Sequence, residues 1–91
     1  MASRWALSYS AEATQQLHKM DRPTAQRLIK YLEERVIALD DPRKMGKALR
    51  GSKWGDCWRY RCGDYRIVVR LLDDDVVVMV MRVGHRKNVY M

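Results

Sequence analysis

Between Cys57 and Val83 the chain commits to three apolar-rich segments, Cys57 to Cys62, Tyr65 to Leu72 and Asp75 to Val83, separated only by Gly63-Asp64 and Asp73-Asp74. Runs of this length rich in Val, Ile and Tyr read as strands, and a two-residue break joins strands as a hairpin. The three segments therefore pair antiparallel and in sequence order, which fixes the middle of a sheet before anything else is known. Side chains alternate along a strand, so Arg59 and Arg61 leave one face while Trp58, Tyr60 and Cys62 leave the other. Arg66 and Arg70 likewise share a face. Cys57 and Cys62 are five apart and point to opposite faces, a geometry that disfavours a bridge between them.

The first half reads differently. Arg4 to Tyr9 alternates, with Trp5, Leu7 and Tyr9 on one side, as a short first strand. Ser10 then caps a helix that carries Ala13, Leu17 and Met20 at helical spacing, and Asp21 with Pro23 restarts the helix at a new cap. The second helix places Ala25, Leu28, Ile29, Leu32, Val36 and Leu39 on one stripe until Asp40-Asp41-Pro42 stops it. From Arg43 to Gly51 there is no clean period, and the segment reads as a loop. The expected architecture is α+β, in the order β-α-α-β-β-β, with a two-helix hairpin packed on one face of a mainly antiparallel sheet and the other face left to the arginines. Ninety-one residues allow a single domain, 1–91. The longest apolar run, Val76 to Met81, is far too short to cross a bilayer, and no signal-peptide pattern follows Met1, so no membrane association and a cytoplasmic location are expected. Two cysteines without CxxC spacing are expected to be reduced thiols. Asp73-Asp74-Asp75 has no matching histidine cluster and reads as a turn, so neither a metal nor another cofactor is expected.

Charge is the second constraint. The net charge is +7, from 18 Lys and Arg against 11 Asp and Glu. Both flanks are neutral, and the whole excess lies in residues 43–70, where Arg43, Lys44, Lys47, Arg50, Lys53, Arg59, Arg61, Arg66 and Arg70 face only Asp56 and Asp64. So local an excess fits a phosphate-rich partner, bound through charge-assisted contacts and counterion release. Solubility alone, or an acidic protein partner, would use the same patch. Trp54, Trp58 and Tyr60 could stack on bases, although aromatics beside a strand more often anchor the core.

Taken in order, Asp41-Pro42-Arg43, Lys47-Ala48-Leu49-Arg50-Gly51, Trp58-Arg59-Tyr60-Arg61-Cys62-Gly63-Asp64-Tyr65-Arg66 and Gly84-His85-Arg86 through Val89-Tyr90 resemble the RelE branch of the RelE/ParE toxin superfamily over almost the whole chain. The resemblance implies the toxin of a type II toxin–antitoxin system, an endoribonuclease that cleaves mRNA in the ribosomal A site without a metal and so inhibits translation. In that family the mRNA 2′-hydroxyl attacks the adjacent phosphorus. Carried over by position, Arg61, Arg66 and Arg86 match basic residues of the reaction centre, Tyr90 the tyrosine proposed as general base, and His85 a position held by lysine or histidine. Arg59, Arg43, Lys44, Lys47, Arg50 and Lys53 are expected to grip RNA and ribosome. A cognate RelB-like antitoxin, encoded adjacently, is implied as partner in a heterodimer or heterotetramer. Many members continue into a further helix beyond the tyrosine, so Tyr90 here is expected to be loosely held.

The residue types suit that chemistry. A phosphoryl transition state gathers negative charge that preorganised guanidinium forks stabilise. A phenol, ordinarily titrating near about 10, becomes a better base beside positive charge. An imidazole, ordinarily near about 6.5, can protonate a leaving oxygen that an arginine would serve poorly. Two other functions compete: a ParE-like, non-enzymatic poison of DNA gyrase, and a basic nucleic-acid-binding module for which the charge alone suffices.

Overall fold

A computed structural model describes residues 4–49 and 56–90. Its elements run β1 (Ala6–Tyr9), α1 (Ala11–Lys19), α2 (Arg22–Tyr31), β2 (Lys47–Ala48), β3 (Cys57–Cys62), β4 (Tyr65–Leu72) and β5 (Val77–His85). The five strands form one sheet in the order β1-β5-β4-β3-β2, with β1 parallel to β5 and all other pairs antiparallel. This is the expected α+β fold, a helix hairpin on one sheet face. Among the described residues no helix is long and apolar enough to cross a membrane.

Both helices begin where their caps predict. The Ser10 Oγ accepts from the Ala13 N–H at 3.0 Å, and Asp21 accepts from the Thr24 N–H at 3.1 Å. The core lies between the helices and the sheet, with Ala13, Leu28, Leu32 and Val36 packed on Tyr60, Ile67, Val69, Val78, Val80 and Val83. Because β1 pairs only with Val77 to Val80, the rest of β5 lacks a strand on that side. Helix α1 takes the place of one: Ser10 Oγ donates to the Met81 carbonyl at 2.8 Å, and the Val83 N–H donates to Gln16 Oε1 at 2.7 Å.

Four expectations need correction. The second helix does not run to Leu39 as one α-helix, because Leu32–Val36 widens into a π-turn closed by the Ile37 N–H on the Leu32 carbonyl. The segment after Asp41 is not all loop: Pro42–Lys44 forms a 3-10 turn, and β2 pairs Lys47 with Arg59 and Ala48 with Trp58. Strand β5 starts two residues late, since Val76 stands at φ 54, outside β-space and unfavourable for a β-branched residue, and it extends to His85 because Tyr65 pairs there. The outer face is not left to arginines alone, because Cys57, Val68 and Val89 form a small second core with Leu49, Met81 and Tyr90 around them. Cys57 and Cys62 do lie on opposite faces, in different clusters, as free thiols.

Ser10 both caps α1 and fastens it to β5. Ser10→Ala should therefore lower unfolding stability by about 1–2 kcal/mol, more than a surface cap would lose. Urea unfolding followed by circular dichroism measures it, and a loss near zero would show that the link to Met81 carries no stability.

Candidate functional site

The Gly63-Asp64 turn assembles the outer face. Gly63, at the first position of the turn, takes positive φ, 61°, as a type II′ hairpin requires. The register then sets Arg61 opposite Arg66, and Arg66 opposite Gly84. Two arginines side by side repel, and the structure offsets this by anchoring one of them. Arg66 is only 8% exposed, and its Nη1 donates to the carbonyls of Gly63 and Tyr65, each at 2.9 Å. Carbonyl anchoring holds the guanidinium in place without neutralising it. Arg61 stays exposed beside it.

The segment after β5 returns to the same turn. The Arg86 N–H donates to the Asp64 carbonyl at 2.8 Å, and its Nε lies 4.0 Å from the Asp64 carboxylate, an exposed and loose pair. The N–H groups of Asn88 and Val89 both close onto the His85 carbonyl, and the resulting turn lays Val89 over Gly84, so near that a Cβ added at Gly84 would sit 3.5 Å from Val89 Cβ. Arg82 fastens that turn: it donates to the Val89 carbonyl at 3.0 Å and, through Nε, to Glu12 at 2.8 Å. Glu12 raises the guanidinium's pKa, keeping its charge secure. Tyr90 consequently packs on the second core with its hydroxyl oxygen buried, rather than hanging loose as its place in the sequence suggested. Sequence reading did not single out Arg82, because nothing local to an arginine in a strand signals that it will hold a segment seven residues later.

His85 stands apart. It pairs with Tyr65, ring to edge at 5.7 Å, and alternation puts the two on the face opposite Arg66 and Gly84. Its Nδ1 accepts from the Lys87 N–H at 3.2 Å, which leaves Nε2 as the nitrogen able to carry a proton outward.

The other basic residues divide. Arg43 forms a two-pronged pair with Asp73, at 3.0 and 2.6 Å, touches Asp41 at 3.4 Å, and lies 5.7 Å from the Trp58 ring centre. The hydrogen bonds from Asp73 raise the pKa of Arg43, and Arg43 lowers that of Asp73. Arg43 is thus a clasp between the 3-10 turn and the β4–β5 turn. Tyr60, 1% exposed, is core, with its hydroxyl donating to the Pro42 carbonyl at 2.8 Å and its pKa pushed up, chiefly by burial. Lys44, Lys47 and Arg59 carry no ion pair among the described residues. Arg50, Lys53 and Trp54 lie outside the described residues.

Known proteins resemble this chain in sequence and in fold. Residues 7–90 match the family described as ParE toxin of type II toxin–antitoxin system, parDE. The mRNA interferase toxin RelE of Escherichia coli is 32% identical over 84 residues, covering 90% of this chain and 83% of that protein. The intact Escherichia coli RelBE toxin–antitoxin complex gives a TM-score of 0.70 at 29% identity, covering 89% of this chain and 95% of the other. The toxin–antitoxin complex RelBE2 from Mycobacterium tuberculosis gives 0.80 at 24% identity, covering 90% and 98%, and speaks to the fold.

The Arg43–Asp73 clasp predicts a pH dependence. Since the pair depresses the Asp73 pKa, its contribution is present above the ordinary carboxylate value of about 4 and fades as pH falls through the lowered one. The urea midpoint of Asp73→Asn should lie below that of the unmodified chain at pH 7, and the gap should close on acidification. A gap that is constant with pH would remove the clasp from the account.

Proposed function

The chain belongs to the ParE toxin family of type II toxin–antitoxin systems and is RelE-like within it; from that membership we propose that it is a ribosome-dependent mRNA endonuclease acting in the cytoplasm. The observation that best supports the reading is the convergence of Arg61, Arg66 and the returning 85–90 turn on one end of the outer face. An A-site mRNA laid there meets guanidinium groups at the place where a phosphoryl transition state concentrates charge.

In the proposed step the mRNA 2′-oxygen attacks the adjacent phosphorus. The P–O2′ bond forms, the P–O5′ bond breaks, and the products are a 2′,3′-cyclic phosphate and a free 5′-hydroxyl. Arg61, Arg66 and Arg86 stabilise the equatorial oxygens. Tyr90 takes the 2′-hydroxyl proton, and His85, which faces away from Arg66 in the free chain, supplies one to the leaving oxygen only once the 85–90 segment has been lifted and turned. No metal is needed, because arginine charge does the stabilising. Since the Tyr90 hydroxyl is buried in the free chain, RNA must lift the 85–90 turn to reach it, and Arg82 sets how readily that happens. Arg59, Lys44 and Lys47, with Arg50 and Lys53, grip RNA and ribosome, and Arg43 joins them only when Asp73 releases it.

Restraint of such an enzyme falls to an antitoxin of RelB type, encoded beside it, in a heterodimer or heterotetramer. The related Escherichia coli and Mycobacterium tuberculosis structures are toxin–antitoxin complexes, which supports this partner. The matched family takes its description from ParE, and this favours one alternative, a toxin that acts on gyrase without cleaving anything.

Primer extension on mRNA in programmed ribosomes, with EDTA present and naked RNA as control, separates them. Cuts are expected only in the A site. Tyr90→Phe, which keeps the packed ring, should reduce cleavage by about 10²–10⁴-fold, and Arg86→Ala by about 10²–10³-fold, both with ribosome binding intact. Lys44→Ala should instead weaken binding and lower its salt slope by about 1. Intact message on the ribosome, together with inhibited gyrase, would replace this reading with the alternative.

A further inference from the structure

Helix α1 lies beside β5 and is fixed to three successive residues of it. Ser10 Oγ donates to the Met81 carbonyl at 2.8 Å, the Glu12 carboxylate accepts from the Arg82 side chain, and Gln16 Oε1 accepts from the Val83 N–H at 2.7 Å. Glu12 is thus held between two anchors. Its carboxylate meets Arg82 two-pronged, accepting from Nε at 2.8 Å and from Nη2 at 3.3 Å. A guanidinium is planar and rigid, so fixing its Nε–Nη2 edge also fixes the direction of Nη1. That third nitrogen donates to the Val89 carbonyl at 3.0 Å. A carboxylate on α1 therefore aims the contact that ties down the segment after β5.

What is tied down matters for the proposed chemistry. Val89 is buried in the small outer core with Cys57 and Val68, and Tyr90 packs against that core with its hydroxyl oxygen buried. The turn itself is closed by the Asn88 and Val89 N–H groups on the His85 carbonyl, at 2.8 and 3.0 Å, and by van der Waals contact of Val89 with Gly84. A short segment held by few contacts opens at far lower free energy than the whole domain unfolds. The Arg82 tie adds a charge-assisted hydrogen bond, of the class worth more than a neutral one. Its two ends differ: the Arg82 side chain is 20% exposed and that of Glu12 52%. The arginine is shielded against the sheet, and the acid that aims it stands open to solvent.

We propose that Glu12 is a positioning residue which, acting through Arg82, keeps the free chain in a self-restrained state with Tyr90 packed away. The restraint rests on the proposed reading in which Tyr90 takes the 2′-hydroxyl proton. The mechanical part, a carboxylate on α1 governing the 86–90 segment, stands on the geometry alone. Without that carboxylate Arg82 is free to rotate, Nη1 loses its aim at the Val89 carbonyl, and the population with the segment lifted rises. Activity is then set in part from α1, which carries none of the residues assigned to RNA.

The test is native-state amide exchange of the purified chain, followed by NMR, in Glu12→Gln and Arg82→Lys. Exchange at Asn88 and Val89 reports lifting of the segment, and exchange at Ile67 and Val69 in the central strand reports global unfolding. In Glu12→Gln the first two amides should exchange about 3–10-fold faster, with a smaller change at the other two. Arg82→Lys keeps a positive charge opposite Glu12 but lacks the planar fork, and should loosen the segment by a similar factor. Equal acceleration of all four amides would make Glu12 a stabilising acid and nothing more, and full protection in Arg82→Lys would remove the aiming of Nη1; either result overturns the proposal. Single-turnover cleavage on programmed ribosomes gives the second readout, in which Glu12→Gln should cut faster by about the factor seen in exchange. A loosened segment with unchanged or slower cutting overturns the self-restraint. If neither protein cuts, the endonuclease reading fails, and amide exchange still decides whether Glu12 governs the segment.

Discussion

The register imposed by the Gly63-Asp64 turn is the constraint on which the rest depends. A slip of one residue would exchange the two faces of β4, sending Ile67, Val69 and Leu71 to the outer side and Arg66 into the helix-packed core. Burial of those aliphatic side chains is worth about 1.5–3 kcal/mol each, so the apolar face enforces the register. The arginine arrangement on the other face follows from it. The outer face is therefore ordered by interactions made on the inner one.

That outer face is built from cations in two different conditions. Some are held by partners that fix their place: Arg66 by carbonyls, Arg82 by Glu12 and the Val89 carbonyl, Arg43 by Asp73. Others, Lys44, Lys47, Arg59 and Arg61, have no acidic partner among the described residues. The first group shapes the surface, and the second leaves it with unneutralised charge. Composition counts both groups alike, which is why a charge sum locates a patch without saying which of its members can bind.

Membership of the toxin family and the physics of the chain agree where they overlap. The family motifs fall at the turns and strand ends that the hydrogen-bond pattern singles out: Gly63-Asp64, Gly84-His85-Arg86 and Val89-Tyr90. The fold alone carries no activity, since one fold can host unrelated functions. What the turns bring to one end of the sheet is Arg61, Arg66 and the backbone of the 85–90 segment.

Much of this was legible in the sequence. The caps at Ser10 and Asp21, the bounds of β3 and β4 and the opposite facing of the two cysteines follow from short-range rules of capping, alternation and turn length. The parallel pairing of β1 with β5, the π-turn at Leu32–Val36 and the small β2 were not legible, because each answers to a distant neighbour rather than to its own residues. The same holds at the site. Sequence determined that arginines 59, 61 and 66 would share the outer face, since alternation is a local property of any strand. Only the tertiary structure decided that Arg43 would be clasped by Asp73, that Arg82 would bind the Val89 carbonyl, that Tyr90 would be packed down and that His85 would face away from Arg66. Those outcomes depend on which turns meet in space, and no local pattern encodes a meeting between residues thirty positions apart.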